Sequence, residues 1–170
     1  MRGVRHTSMA LHREEAIVWS YLTLRRSEQD PERRVACNGA GRRLYEVWGR
    51  SGSASGKITV VDADQRPVAV VRERLARRHS AAIRRPGKPV TTVRWSNVSG
   101  SDRVQVEIDG VAKLRMRGDL TGAGAEVELD EDRVGRVSPL GRGEYSIAVA
   151  PDFDHALAVS IVVAADLLTH

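Results

Sequence analysis

The sequence is poor in cysteine, aromatic residues and lysine, and each shortage excludes something. Cys37 is the only cysteine, so no internal disulfide can form and a reducing compartment is favoured. With one Phe, three Trp and three Tyr, the core of this chain has to be built from Val, Leu, Ile and Ala. Only three of the 27 basic residues are lysine, so the cations are almost all arginine.

Charge and length place further bounds on the protein. A chain of 170 residues is enough for one domain with a sizeable core. The formal net charge of +5 favours anionic partners, without choosing among phosphoinositide headgroups, nucleic acid and acidic proteins. The first eight residues, MRGVRHTS, lack the apolar run of a secretory signal. We therefore expect a cytoplasmic protein.

The C-terminal stretch is the most apolar part of the chain. Residues 156–165 carry no charge, so a helix here would be apolar on every side and must be enclosed by protein or lipid. About 13 residues make a helix roughly 20 Å long, short of the ~30 Å hydrocarbon core, and Asp166 ends the run. The β-branched residues 159–163 make a strand the alternative, but length and alanine content favour a helix. The sequence thus predicts an enclosed helix near 155–168 with Asp154 as its N-cap.

The rest of the chain is a series of predicted β-hairpins. The clearest has Asp109-Gly110 as a two-residue turn between 103–108 and 111–117, where apolar and polar residues alternate. Residues 16–24 are compatible with a strand or an amphipathic helix, of which we favour the strand. With a last strand at 145–149, the count is about 12.

These strands and the helix predict one architecture. An antiparallel sheet of about 12 strands has to curl or close, and a closed barrel of that size is too wide for its own side chains to fill. The apolar helix is the obvious filler. We therefore predict a mainly β fold in which residues 16–170 form a single barrel around the helix, preceded by a loosely ordered segment at residues 1–15.

A series of short motifs runs through residues 33–170 in an order that is more specific than any one of them. In chain order they are Leu44–Val47, Ile58–Asp64, Val68–Leu75, Gly118–Gly122, and Tyr145–Ile147 followed by Asp154 and Ala156–Val159. This order resembles the Tubby C-terminal-like barrel, which Tubby proteins, phospholipid scramblases and the LURP-one-related family share. Bacterial members of the LURP-one-related family are the nearest resemblance.

The resemblance implies an antiparallel barrel of about 12 strands around a buried C-terminal helix. Tubby proteins bind phosphoinositides at a basic surface site, but that site does not map residue by residue onto this chain. A scramblase-like protein would add calcium and membrane insertion, for which the predicted helix is too short.

The densest run of cations is the candidate ligand site. Arginine forks match phosphate oxygens, and several together bring a useful affinity. The predicted site residues are Arg72, Arg74, Arg77, Arg78, Arg84, Arg85 and Lys88. The alternative is a solvated outer face without a ligand. Nucleic acid is disfavoured as a partner because no aromatic residues are interleaved with these arginines to stack on bases.

Signatures of catalysis and of metal binding are absent. No nucleotide-binding loop, metalloprotease motif, C-x-x-C or G-x-S-x-G is present, and the five histidines lack ligand spacing. Asp62-Ala63-Asp64 and Asp130-Glu131-Asp132 lack the glycine and distal glutamate of a calcium loop and stand where hairpin turns favour Asp. We expect no enzyme activity, no metal and no cofactor.

Three functions remain open. The first is a non-catalytic barrel that binds an anionic lipid headgroup or an acyl ligand at a membrane surface, as a peripheral protein. The second is a structural or protein-interaction module without a small ligand. The third is a scramblase-like membrane protein. The sequence does not determine the ligand, a protein partner or the oligomeric state.

Overall fold

The computed structural model describes residues 18–49, 56–74, 76–110 and 112–169. They form twelve β-strands and one C-terminal α-helix. The strands are β1 Ser20–Arg26, β2 Arg33–Asn38, β3 Arg43–Trp48, β4 Lys57–Asp62, β5 Pro67–Glu73, β6 Ser80–Arg84, β7 Thr91–Val98, β8 Ser101–Ile108, β9 Ala112–Asp119, β10 Gly124–Leu129, β11 Asp132–Gly141 and β12 Glu144–Val149, and the helix α1 is His155–Thr169. The segment predicted to be loosely ordered, residues 1–15, lies outside the described residues.

The strands form a closed antiparallel barrel in which each strand pairs with its neighbours in the chain. β1 closes it by pairing with both β2 and β12, with Leu22 opposite Ile147. The strand favoured for residues 16–24 is found at Ser20–Arg26, where the helical alternative is excluded, and residues 16 and 17 lie outside the described residues. The predicted mainly β barrel of 12 strands is confirmed.

Alternation along the strands builds the barrel wall. In β8, for example, Val104 and Val106 are buried, whereas Arg103, Gln105 and Glu107 are exposed. One face of each strand thus points into the core and the other points to solvent. The core is aliphatic, as the composition requires, and its largest fully buried side chains include Leu22, Leu24, Ile58, Ile83 and Leu114.

The helix fills the barrel. Every residue from Leu157 to Leu168 is buried, which confirms the predicted enclosed helix. Asp154 caps it, because the Leu157 N–H donates to Asp154 Oδ1 at 3.0 Å. Within the described part of the chain, no helix has both the length and the hydropathy to cross a bilayer.

The barrel has two rims, which we name after the helix ends. The N-rim surrounds the start of α1 and contains the connections β2–β3, β4–β5, β6–β7, β8–β9, β10–β11 and β12–α1. The C-rim surrounds the end of α1 and contains the connections β1–β2, β5–β6, β7–β8, β9–β10 and β11–β12. Because the strands are antiparallel, consecutive connections lie on opposite rims.

Asp and Asn side chains shape the N-rim turns. Asp62 Oδ1 accepts hydrogen bonds from the N–H groups of Asp64 and Arg66, both at 2.9 Å. Asp130 and Glu131 adopt positive φ angles of 51° and 73° in the β10–β11 turn. Both acidic motifs are thus hairpin turns, as predicted from the sequence.

A buried polar cluster ties the C-terminal part of the helix to the wall. Arg34 Nη1 forms an ion pair with Asp166 Oδ2 at 3.0 Å, and the Tyr145 hydroxyl donates to Asp166 Oδ1 at 2.6 Å. Arg34 also donates to the carbonyl of Gly143 at 3.3 Å. Burial, and after it the charge of Asp166, raise the pKa of Tyr145 well above its ordinary value. The carboxylate that ends the apolar run of α1 is therefore neutralised inside the barrel.

Candidate anion-binding surface

The structure divides the seven cations of the predicted site between the two rims. Four of them lie at the C-rim end of β5 or in the β5–β6 connection, namely Arg72, Arg74, Arg77 and Arg78. The other three lie at the N-rim end of β6 or in the β6–β7 connection, namely Arg84, Arg85 and Lys88. The two groups approach each other only at Arg72 and Arg84, which lie two residues apart in the β5–β6 register, about 7–8 Å, whereas the cations of the two connections are at opposite rims. The seven cations are close together in the sequence, but in the structure they do not form one site.

Arg85 has a structural partner. Its side chain is only 9% exposed, and its Nη1 lies 2.8 Å from Asp154 Oδ2. The same carboxylate caps α1, so Arg85 links the β6–β7 turn to the first turn of the helix. This guanidinium is engaged inside the protein and is not offered to a ligand.

A larger group of cations lies on the outer surface of three neighbouring strands, β7, β8 and β9. All five are exposed and belong to the outward-facing set of their strands. They are Arg94, Arg103, Lys113, Arg115 and Arg117, and we call them the basic face.

Cross-strand register arranges the basic face in rows. Nearest the C-rim, Ser96, Arg103 and Arg117 are directly opposite one another. The next row consists of Arg94, Gln105 and Arg115, and the third of Thr92, Glu107 and Lys113. Arg103 and Arg117 thus form a directly opposed pair of like charges, an arrangement that destabilises a sheet by roughly 0.2–1 kcal/mol.

Acidic neighbours compensate the rows unequally. Glu107 is opposite Lys113, and Glu128 of β10 is opposite Arg115. Glu126 is opposite Arg117, but its carboxylate is already bound by Arg133 and Arg136 of β11. Across the described residues, no ion pair to a carboxylate involves any member of the basic face. The positive charge is least compensated in the row nearest the C-rim.

The wall on the other side of the barrel shows how this protein normally pairs an acidic side chain. Glu46 of β3 is bound by Arg43 at 2.6 Å and approached by Arg33 at 3.8 Å, and Trp48 Nε1 donates to it at 3.1 Å. The Trp48 hydrogen bond and the two guanidinium groups hold the pKa of Glu46 below its ordinary value. The basic face has no equivalent carboxylate.

A shallow groove crosses the middle of the basic face. Its volume is about 190 Å³, and its polar lining comes from Thr92, Arg94, Gln105, Glu107, Lys113 and Arg115. Three cations therefore surround one depression, together with an amide, a hydroxyl and the carboxylate of Glu107, so three positive charges and one negative charge give its lining a net charge of +2. Such a set suits the oxygens of a phosphate group.

Arg72, one of the seven predicted site residues, belongs to a second pair of like charges on the far side of β6. Arg72 of β5 is directly opposite Lys57 of β4, and both are exposed. Between this second like-charged pair and the basic face stand Ser80 and Ala82, both small and buried. Arg72 thus belongs to the same side of the barrel as Arg94.

Sequence reasoning missed the basic face because it searched for cations that are close together in the sequence. Its members are spread over residues 94–117 and come together only when β7, β8 and β9 pair. A usable signal was present in the alternation of Lys113, Arg115 and Arg117 with the apolar residues Leu114 and Met116. That alternation places three cations on one outward face.

Among the described residues, the void between α1 and the wall opposite its nearest strands is too small for an acyl chain. α1 lies nearest β5, β6 and β7, and between it and the opposite wall is a void of only about 20 Å³. Apolar side chains line this void, among them Leu114, Met116 and Ile161. A space of this size is close to the minimum for one water molecule, so the interior of the fold favours a ligand on the outside.

The described residues contain no cluster of three or more His, Cys, Asp or Glu side chains that could hold a metal ion. The two histidines among them, His79 and His155, lie at different rims. His79 contacts the ring of Trp95 edge-on, with 5.1 Å between ring centroids.

Comparisons with known proteins agree on the fold. The profile of the LURP-one-related family matches residues 31–166. The X-ray structure of a protein from Arabidopsis thaliana superposes with a TM-score of 0.67, at 19% sequence identity, over 91% of this chain and 94% of the plant chain. A search of curated protein sequences found no significant match.

Proposed function

The chain belongs to the LURP-one-related family, and we propose that it is a non-catalytic barrel that binds the phosphate headgroups of anionic lipids as a peripheral protein. We also propose, from the order of its sequence motifs, that it is a bacterial member related to the Tubby and scramblase barrels, and that it acts at a cytoplasmic surface.

The observation that carries the proposal is the opposed pair of Arg103 and Arg117. Both guanidinium groups are exposed, neither is bound to a carboxylate, and the only acid opposite Arg117 is occupied by β11. A phosphate between them would accept hydrogen bonds from both and relieve their repulsion. The arrangement is thus unfavourable in the free protein and favourable with an anion.

The shape and composition of the surface favour a membrane over nucleic acid. The basic face is an outward sheet surface with several phosphate-sized positions, and within the described residues it carries no aromatic side chain for base stacking. Each cation near an anionic leaflet contributes about 1 kcal/mol, so the five give about 5 kcal/mol. Such binding is peripheral and sensitive to salt.

Vesicle co-sedimentation tests the proposal. The protein should sediment with phosphatidylcholine vesicles that contain phosphatidylserine or a phosphoinositide, and not with phosphatidylcholine alone. Replacement of Arg103, Arg115 and Arg117 by Gln removes about 3 kcal/mol and should weaken binding about 100-fold.

The matched control removes the same charge elsewhere. Arg25, Arg42 and Arg66 are exposed and lie away from the basic face, so their replacement by Gln should change binding far less. Equal sedimentation with neutral and anionic vesicles, or equal loss in both triple variants, would overturn the site. Binding to single-stranded RNA or to an acidic protein, with none to anionic vesicles, would replace the lipid by that partner.

A further inference from the structure

Two adjacent tips of the C-rim lie directly beside the least compensated row of arginines, and the exposed carboxylate of Asp119, which accepts hydrogen bonds from Thr121, starts the second of them. The β7–β8 tip has the sequence Asn97-Val-Ser-Gly-Ser101, and the β9–β10 connection reads Leu120-Thr-Gly-Ala123. β8 and β9 are paired, so the two tips are neighbours on the rim. Val98 is 42% exposed, which makes it one of few large apolar side chains in contact with solvent.

Asp102 holds the two tips together. Its Oδ1 accepts hydrogen bonds from Trp95 Nε1 and Asn97 Nδ2, both at 3.1 Å, and its Oδ2 accepts from the Leu120 N–H at 3.3 Å. Asp102 is buried, so these three hydrogen bonds satisfy its carboxylate inside the rim. The β7–β8 tip and the β9–β10 connection therefore form one braced unit, which we call the double tip.

Register fixes the height of the double tip relative to the arginines. Val98 is opposite Ser101, and the row of Ser96, Arg103 and Arg117 lies two residues further from the rim on the same outward face. Two residues of strand correspond to about 7 Å. The backbone of Val98 thus lies about 7 Å nearer the rim than the backbone of Arg103 and Arg117.

We propose that the double tip enters the interfacial region of an anionic membrane, so that Val98 lies below the phosphates that Arg103 and Arg117 bind. This inference rests on the proposed function and adds to it an orientation and a depth. Side chains of interfacial proteins are buried about 5–10 Å into the boundary between headgroups and acyl chains, which agrees with the 7 Å offset. The unpaired backbone groups of the turns prevent deeper entry, because hydrocarbon offers them no hydrogen-bond partners.

The charges around both rims support this orientation. At the C-rim, the neighbouring β5–β6 connection carries exposed Arg77 and Arg78, and the β11–β12 connection carries Arg142. Turns of the N-rim carry exposed Asp64, Asp109 and Asp130, which an anionic leaflet repels. Because the β1–β2 connection of the C-rim carries exposed Glu28 and Glu32, the complementary charge is confined to the sector of this rim that holds Arg77, Arg78 and the row of Arg103 and Arg117.

The single cysteine of this chain makes a direct depth measurement simple. In a Cys37→Ser background, Val98→Cys is labelled with an environment-sensitive NBD fluorophore, and Ala40→Cys at the N-rim serves as the matched control. On vesicles of phosphatidylcholine and phosphatidylserine, the label at position 98 should shift to the blue and be quenched by nitroxides on the acyl chains near the headgroup. The label at position 40 should do neither.

Sedimentation of the same samples distinguishes headgroup binding from insertion of the double tip. If the protein sediments with anionic vesicles and the label at position 98 neither shifts nor is quenched, insertion is wrong and headgroup binding stands. If it does not sediment, both are wrong. Unlabelled Val98→Asp should bind at least tenfold more weakly, whereas Val98→Leu should bind as well as the native protein, both with an unchanged urea midpoint. Equal binding of the two variants would overturn insertion.

Discussion

Two pairs of arginines in this barrel, Arg34 with Arg85 and Arg103 with Arg117, differ in burial and in partners. The Arg34 and Arg85 side chains are 8% and 9% exposed, and each forms an ion pair with a carboxylate near one end of α1. Arg103 and Arg117 on the outer surface are exposed, and no ion pair to a carboxylate involves them in the described structure. A guanidinium taken out of water requires a carboxylate partner, whereas one left in water does not. The buried pair therefore anchors the helix, and the exposed arginines are available to an outside anion.

The largest effect is expected at Arg34. Arg34→Ala leaves Asp166 buried beside Tyr145 without its cation, and should lower the free energy of unfolding by about 3–5 kcal/mol. Urea denaturation measures it. The double variant Arg34→Met/Asp166→Leu removes both charges and should recover most of the loss. A cost below about 1 kcal/mol for Arg34→Ala would show that water or another group compensates Asp166.

Tyr145→Phe should cost less, about 1.5–3 kcal/mol, because it removes one hydrogen bond to a charged acceptor. The loss should depend on pH. The folded protein raises the pKa of Tyr145 above its ordinary value of 10.0, so the unfolded chain loses this proton first. The stability that Tyr145 contributes is therefore complete below about pH 10 and declines as pH rises beyond it.

The measurement is the difference in urea midpoint between native protein and Tyr145→Phe at a series of pH values. The difference should be constant near neutrality and narrow above about pH 10. Tyr45, whose pKa is also raised by burial, is present in both proteins, so its contribution to the pH dependence cancels in the difference. A difference in urea midpoint that widens at high pH would contradict a raised pKa of Tyr145 in the folded protein.

At the other end of the helix, two substitutions of Asp154 distinguish the contribution of helix capping from that of the ion pair with Arg85. Asp154→Ala removes both the cap and the partner of Arg85, and should cost about 2 kcal/mol. Asp154→Asn keeps a good capping side chain and loses only the charge, so about half of that cost should remain. Thermal or urea unfolding measures both variants. Equal losses would mean that Arg85, rather than the cap, determines the effect.

The smallest effect on stability is expected on the basic face. Arg117→Gln removes one of two opposed like charges, so the urea midpoint should stay within about 0.5 kcal/mol of the native value or rise. Binding to anionic vesicles should fall in the same variant. A clear loss of stability would place Arg117 among the structural arginines and remove it from the proposed site.

Local pattern was sufficient for much of the fold. The Asp62 and Asp130 turns were predicted from residue type, because Asx side chains and positive φ angles act over only a few residues. The burial of residues 157–168 followed from an uncharged run too short for a bilayer. A strand was favoured for residues 16–24 because of their β-branched and aromatic residues, and it is found at Ser20–Arg26, where it pairs with β12 and β2.

The candidate site shows where such reasoning ends. The run from Arg72 to Lys88 was chosen because its cations are close in sequence, but β6 carries the chain across the barrel between them. Arg103 and Arg117 are separated by a turn and eleven other residues, yet register makes them direct neighbours. The partner of Arg34 lies 132 residues away, on a helix whose position follows only from the closed sheet.

Composition and alternation alone specify that this chain forms a closed antiparallel sheet around its own apolar helix, because burial of apolar surface depends on the type and spacing of neighbouring residues in the chain. Which arginines are anchored to the helix and which remain free depended on the closed barrel. Ion pairing and repulsion require side chains within a few ångströms of each other, and cross-strand register, rather than distance along the chain, brings these together.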